Sequence, residues 1–198
     1  MCPLLELLTL LLSSFRVAVV TGANKGIGLE ICRQLASNGV TVILTARDEK
    51  RGAAAIDALR ELRLAGVVFH QLDVREPSSA ARLADFVKDK FGKLDILVNN
   101  AAILGVTTVD IGGPESAAIQ EAVASEKFAS MSAMERLEWL NQRITETYVE
   151  GEDCLRTNYD GTKNVTEALL PLLLASSNAR VVNVSSSMGL LLKKECHT

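Results

Sequence analysis

The sequence predicts an α/β protein built on a doubly wound parallel sheet, and three observations carry that prediction. Short runs of β-branched and apolar residues alternate with amphipathic helical patterns from residue 16 to residue 100. Polar clusters fall where each such strand ends, which is where an open parallel sheet gathers its ligand groups. The first strand breaks into three glycines, in Thr21-Gly22-Ala23-Asn24-Lys25-Gly26-Ile27-Gly28, and a helical pattern follows at once. Parallel strands need right-handed crossovers, and helices of this length supply them.

Arg16 to Thr21 is the first strand. Gly22 and Gly26 lack a Cβ, so the backbone there can turn tightly and approach a phosphate, while Gly28 lets the next helix pack closely on the strand. The unpaired N–H groups of that helix's first turn face an anion, aided by the positive end of its dipole. A strand, a glycine turn and a helix in this order hold the pyrophosphate of a dinucleotide. The helix runs from Gly26 to Asn38, with Ile27, Ile31 and Leu35 on one face and Gly39 as its stop. Val40 to Ala46 is a second, almost wholly apolar strand, as expected of a sheet covered on both faces. Asp48 caps a second helix carrying Ala55, Ile56, Leu59 and Leu62. Gly66 to Leu72 is the third strand and closes on Asp73 and Val74. Pro77 suits the first turn of a third helix that buries Leu83, Phe86, Val87 and Phe91, and Leu94 to Asn99 is the fourth strand.

Val106 to Glu152 breaks the rhythm. It opens with Gly112-Gly113-Pro114 and then carries two helical patterns, the clearer placing Ala133, Leu137, Leu140, Ile144 and Tyr148 on one stripe. It is too long for a βα loop and reads as an inserted helical subdomain near the ligand mouth, either a lid over the substrate or a packing elaboration. A long helix is expected from Cys154 to Leu174, with Leu155, Asn158, Thr162, Val165 and Leu169 sharing a face and Pro171 bending or ending it. Arg180 to Ser185 is the fifth strand and closes on Ser185-Ser186-Ser187-Met188-Gly189.

The 198 residues suit one domain, residues 16–198, with residues 1–15 as an extension. A net charge of −3 without a basic stripe argues against a nucleic-acid partner. Cys2, Cys32, Cys154 and Cys196 lack metal-ligand spacing, and His70 and His197 are the only histidines, so no metal site is expected. The apolar run from Leu4 to Leu12 has no basic residue before it and no cleavage site after it, and is too short to span a bilayer. It reads as a helix or a misassigned start in a cytoplasmic protein.

The second strand's end suggests the cofactor. A site preferring NAD offers Asp or Glu there for the ribose 2′-OH. This chain offers Ala46 and Arg47, with Arg51 one turn on and Lys25 in the glycine turn. Such cations favour the 2′-phosphate of NADP through charge-assisted hydrogen bonds. The plainer reading of the two arginines is that they are solvated residues at a helix start.

Together these pieces resemble the short-chain dehydrogenase/reductase family. Thr21 to Gly28 is similar to its T-G-x-x-x-G-I-G, Asp73 to its adenine-contacting Asp, and Asn99-Asn100-Ala101-Ala102 to its N-N-A-G with alanine last. Asn183-Val184-Ser185-Ser186 is similar to the strand that delivers its active-site serine. Asn24-Lys25, Thr45 to Asp48, Arg51-Gly52 and the insertion resemble its carbonyl-reductase-like branch, which reduces terpenoid and alkaloid ketones. The resemblance implies a Rossmann domain holding NADP through Gly22, Asn24, Lys25, Gly26, Ile27, Gly28, Arg47, Arg51, Asp73, Val74, Asn99 and Ala101. It implies a monomer acting on a small carbonyl or alcohol substrate, with no membrane and no nucleic acid as partner. Ser186 is the implied serine that hydrogen-bonds the carbonyl oxygen, and Asn158 the implied asparagine that orders a relay water.

The family's Tyr-x-x-x-Lys lies on the helix after the serine strand, and this chain has no tyrosine beyond Tyr159. Tyr159 and Lys163 fit the spacing but directly follow Asn158, on the helix before the serine strand, and read as a packing tyrosine and a surface lysine. The sheet is therefore expected to be incomplete at its carboxyl-terminal edge, leaving the fifth strand open. The chain reads as a truncated reductase with impaired catalysis, or else as a catalytically silent nucleotide-binding fragment. An extended-type sugar-nucleotide epimerase fits less well, since its turn follows G-x-x-G-x-x-G.

Overall fold

The computed structural model describes residues 15–105, 107–108, 125–142, 144–145 and 147–185. They fall into two compact units, Met1–Ala102 with Thr157–Thr198, and Ile103–Arg156. The first unit contains β1 (Val17–Val20), α1 (Gly26–Ser37), β2 (Thr41–Ala46), α2 (Glu49–Glu61), β3 (Val67–Gln71), α3 (Pro77–Phe91), β4 (Ile96–Asn99), α4 (Gly161–Leu174) and β5 (Arg180–Asn183). Its sheet has the order β3-β2-β1-β4-β5, with every pair parallel.

β1 shows why the strands are so apolar. Its four side chains are all out of water. Val17 and Val19 enter a core with Leu83 and Val87 of α3 and Leu169 and Leu173 of α4. Ala18 and Val20 enter a second core with Cys32 of α1 and Ile56 and Leu59 of α2. A strand covered on both faces cannot afford the polar alternation of a half-exposed one. Each fully buried valine or leucine here contributes about 1.5–3 kcal/mol. Asp48 caps α2 by accepting from the Arg51 N–H at 2.9 Å, and Pro77 stands in the first turn of α3.

Several helical faces differ from the sequence expectation. The buried residues of α1 are Gly28, Cys32 and Ala36, whereas Ile27 is 65% exposed and Ile31 and Leu35 are half-buried. The close approach that Gly28 permits rotates the helix so that its small residues, not its large ones, meet the sheet. Leu62 is not part of the α2 core but caps that helix and is exposed. Phe86 and Phe91 are half-buried at the rim of the first core, behind Leu83 and Val87.

The expected long helix from Cys154 is interrupted. A helix Tyr148–Leu155 leads into a π turn at Arg156–Asp160, and α4 begins only at Gly161. A π turn adds a residue per turn and resets the helical phase. Val165 and Leu169 are therefore buried while Leu155 is exposed. Pro171 neither ends nor breaks α4, which continues to Leu174.

The second unit, taken by itself, holds helices Glu126–Ser130, Ala133–Asn141 and Tyr148–Leu155. Thr107–Thr108 forms a short antiparallel ladder with Ile144–Thr145. The predicted stripe from Ala133 to Tyr148 is thus not one helix: Ile144 is in a strand and Tyr148, exposed, opens the next helix. Glycine 105 takes a φ of 65°, and a Cβ there would lie 2.5 Å from the Cys154 Cβ. The N-terminal extension through residue 14, Gly112-Gly113-Pro114, Ser186, Ser187 and the tail after Met188 lie outside the described residues.

Candidate functional site

The strand order reverses between β1 and β4, so the carboxyl ends of these two strands flank the crevice where an open α/β sheet binds ligands. Thr21 joins the two ends. Its Oγ1 accepts from the N–H groups of Asn100 at 2.9 Å and Ala101 at 3.0 Å. Asn100 answers through Nδ2, which donates to the carbonyls of Thr21 at 2.9 Å and Gly22 at 3.2 Å. Ala23 N–H donates to the Thr45 carbonyl at 2.8 Å, tying the turn to β2 as well.

Gly22 and Gly26 both take left-handed φ angles, 62° and 58°. A Cβ on Gly22 would meet Ala101 Cα at 2.8 Å, and one on Gly28 would meet Asn100 Nδ2 at 2.4 Å and Ala23 Cα at 2.9 Å. The turn is therefore packed as well as bent. Lys25 precedes α1 with extended backbone; no side chain caps this helix, and its first turn holds no acidic residue. N–H groups at such an end, with the dipole behind them, suit an anion. Ile27 is exposed beside them.

Arg47 and Arg51 are exposed beyond β2, and Lys25 is exposed in the turn. Among the described residues none of the three enters an ion pair. The Arg47 carbonyl accepts from Gln71 Nε2 at 3.1 Å, which ties the ends of β2 and β3 together. Asp73 follows β3: its N–H donates to Ser79 Oγ at 3.1 Å, and its Oδ1 accepts from the Arg75 N–H at 3.1 Å. Val74 is buried against the first residue of α4, where a Cβ on Gly161 would lie 2.7 Å from Val74 Cγ2.

Asn99 is turned inward. Its Nδ2 donates to Thr166 Oγ1 at 3.1 Å and to Asn183 Oδ1 at 2.9 Å, while its backbone carbonyl accepts from the Val184 N–H. It links β4, α4 and β5 as a strut, and its own Oδ1 is buried without a hydrogen-bond partner. Asn158 sits within the π turn and is half-buried. Such turns are frequent at functional sites. Tyr159 is 66% exposed. Lys163 approaches Glu167 at 4.0 Å on the open face of α4. Asn24 is half-buried, and Ser186 lies outside the described residues.

Sequence reasoning omitted Thr21 and Asn100 from the site, although both stand inside the motifs it used. It also missed Asp95, at the opposite, amino end of the sheet. Asp95 accepts from the Val17 N–H at 2.8 Å, Lys93 Nζ at 3.0 Å and Ser176 Oγ at 2.6 Å. Burial alone would raise its pKa, but hydrogen bonds from Ser176, Val17 and Lys93 outweigh it and hold the carboxyl below the usual carboxylate range. The alternation Leu94-Asp95-Ile96 was the available signal: a charge inside an apolar strand start. Burial pushes the Cys32 thiol up to about 12, marking it as a core residue rather than a nucleophile. No cluster able to hold a metal occurs among the described residues, nor any helix long and apolar enough to cross a membrane.

The same pieces recur in known proteins. A family profile for short chain dehydrogenases matches residues 16–195. Short-chain dehydrogenase/reductase 1 of Saponaria officinalis is 52% identical over 92% of this chain and 56% of its own length. (+)-Neomenthol dehydrogenase of Arabidopsis thaliana is 50% identical over 89% of this chain and 55% of its own. The solved structure of salutaridine reductase from Papaver somniferum superposes with a TM-score of 0.75 at 45% identity, covering 88% of this chain and 58% of that one. The present chain thus spans little more than half the length of each. Glycine turn, switch-point crevice and five-stranded sheet all agree with these matches, and the chain belongs to the short-chain dehydrogenase/reductase family.

Proposed function

We propose that the chain is the cofactor-binding part of an NADP-dependent reductase acting on the carbonyl of a ketone or aldehyde, of terpenoid or alkaloid type. The observation that carries this is the uncapped, acid-free start of α1 flanked by Lys25, Arg47 and Arg51, none of them in an ion pair among the described residues. The turn supports this reading: Gly22 and Gly28 leave no room for a Cβ, nothing lies within 4 Å of one on Gly26, and the turn would offer backbone rather than side chains to a phosphate. Gly22, Asn24, Gly26, Ile27 and Gly28 would hold the pyrophosphate, and Lys25, Arg47 and Arg51 the 2′-phosphate. Asp73, Val74 and Ala101 would border the adenosine and ribose, with Asn99 fixing the strand beneath them. When bound, NADPH supplies the hydride. Ser186 would hold the carbonyl oxygen by donating a hydrogen bond, and Asn158 would order a water for proton delivery. The names of the salutaridine reductase and neomenthol dehydrogenase relatives support a terpenoid- or alkaloid-ketone-like substrate.

A second reading, nucleotide binding without turnover, is favoured by one observation: Tyr159, which with Lys163 has the Tyr-x-x-x-Lys spacing, is largely exposed, and Lys163 Nζ lies 4.0 Å from Glu167 on the surface of α4. One experiment separates the two. Mass-verified protein is titrated with NADPH and NADH, following nicotinamide fluorescence, and then supplied with a ketone. Binding without turnover favours the second reading. Turnover lost on Tyr159→Phe would overturn it, and no fluorescence response to either nucleotide would defeat both readings.

A further inference from the structure

Gly161 opens α4 and is buried. Its φ is not left-handed, so no conformational need explains a glycine there, and alanine is the better helix former. Space explains it. A Cβ on Gly161 would lie 2.7 Å from Val74 Cγ2, 3.1 Å from Val74 Cβ and 3.3 Å from the Val74 carbonyl carbon. Val74 cannot draw back. It belongs to the core of Leu72, Ala80 and Leu83, and its neighbours are pinned. The Asp73 N–H donates to Ser79 Oγ, Asp73 Oδ1 accepts from the Arg75 N–H, and the Asp73 carbonyl accepts from the Glu76 N–H at 3.2 Å. The body of α4 is held as firmly. Val165 and Leu169 are fully buried, Thr166 Oγ1 accepts from Asn99 Nδ2, and the Leu172 carbonyl accepts from the Leu94 N–H at 3.0 Å. The part left to yield is the π turn Arg156–Asp160, directly before Gly161, and Asn158 stands in it.

We infer that Gly161 is a positioning residue: by admitting Val74 it sets the depth of the π turn against the end of β3, and with it the place of the Asn158 amide. Asn158 precedes Gly161 by less than one helical turn, so a displacement at one reaches the other undamped. Ordinary contact begins at about 3.4 Å, and relieving a methyl at 2.7 Å needs about 0.7 Å of movement. Misplacement by about 1 Å can cost a catalytic geometry roughly a hundredfold in rate. The consequence rests on the proposed function. Val74, which would border the adenosine, and Asn158, which would order the relay water, meet through this one contact. The proton-delivery side of the site is thereby held in register with the cofactor side.

Proton–nitrogen correlation spectra of the full 198-residue chain, recorded without nucleotide, test the inference. The Asn158 side-chain amide signal is identified by its loss in Asn158→Asp. In Gly161→Ala it is expected to shift by more than its linewidth, while the side-chain amides of Asn99 and Asn100, bonded to α4 and to the glycine turn, keep their places. Adding Val74→Ala removes the 2.7 Å contact and is expected to bring the signal at least halfway back. Gly151→Ala is the control. That glycine is also helical, yet no described atom lies within 4 Å of a Cβ there, so the Asn158 signal is expected to stay. An unmoved Asn158 signal in Gly161→Ala, no recovery in the double variant, an equal shift in Gly151→Ala or an equal shift at Asn99 overturns the inference. Should Gly161→Ala fail to fold, the double variant is expected to fold with its Asn158 signal near the wild-type place, and a double variant that also fails overturns it. None of these signals needs nucleotide or ketone, so the seating can fail while the proposed function stands. Nicotinamide fluorescence that answers neither nucleotide defeats the function and not the seating.

Discussion

Replacing Gly22 by alanine tests the packing of the glycine turn more sharply than any charge change. Gly22 holds a φ of 62°, a conformation that costs a residue with a Cβ roughly 1–2 kcal/mol. The new methyl would also lie 2.8 Å from Ala101 Cα and 3.0 Å from Ala101 Cβ. Ala101 cannot swing aside, because its N–H is bonded to Thr21 Oγ1 and its neighbour Asn100 is anchored to the same turn. Overpacking against fixed backbone adds about 1–3 kcal/mol, for a total of roughly 2–5 kcal/mol. Gly26→Ala is the control: φ is 58°, yet nothing lies within 4 Å of a Cβ there. It should cost only the conformational part, roughly 1–2 kcal/mol. The gap between the two variants, about 1–3 kcal/mol, corresponds to roughly 2–12 °C in Tm for a chain of this size. Urea and thermal unfolding of both variants measure it. Equal losses, or a larger loss at Gly26, would show that Ala101 does not brace the turn and refute the reasoning.

Arg47→Ala should leave stability within about 0.5 kcal/mol, since the side chain is exposed and outside any ion pair among the described residues. Under the proposed function it should weaken NADPH about tenfold or more while barely moving NADH, as losing a charge-assisted hydrogen bond requires; parallel fluorescence titrations check this. Asp95→Asn should lower the urea midpoint by an amount equivalent to roughly 2–4 kcal/mol, because one buried carboxylate holds the starts of β1 and β4 and the turn after α4. The pKa of Asp95 is depressed in the fold, so its contribution is complete above the unfolded carboxylate pKa and is lost as pH falls through the lower folded value. Acid titration of the unfolding free energy should show that loss in the wild type and not in the variant. His70 has the opposite charge type but the same sign of effect. Burial, beside the Phe86 ring at 5.0 Å, holds its pKa below 6.5. The unfolded chain then takes up the proton first, and stability falls as pH drops through about 6.5. Unfolding at pH values on either side should reveal a slope that His70→Phe flattens.

Much of the first unit was legible in the chain because it is encoded locally. The four buried residues of β1, the left-handed glycines at 22 and 26, the Asp48 cap and Pro77 at the start of α3 each follow from the properties of one or two neighbouring residues. The fifth strand was legible too, from the apolar run Val181-Val182 before Asn183. Helical faces were harder. Counting apolar residues on α1 selected Ile27, whereas the helix buries Gly28, Cys32 and Ala36, because the tight contact at Gly28 with Ala23 and Asn100 sets its rotation. The periodicity through Asn158 assumed an unbroken helix, and the π turn shifted it.

By itself the sequence determined the family, the parallel sheet and the residue types that gather at its carboxyl ends. Those depend on short-range pattern: strand, glycine turn, helix, repeated. Only the tertiary structure decided that Thr21 and Asn100 clasp β1 to β4, that Asn99 faces inward between α4 and β5, and that Asp95 ties the far end of the sheet. These bonds join residues 67 to 84 positions apart. No local preference specifies them. They follow from strand register, which both hydrophobic cores set together when they close on the two faces of β1.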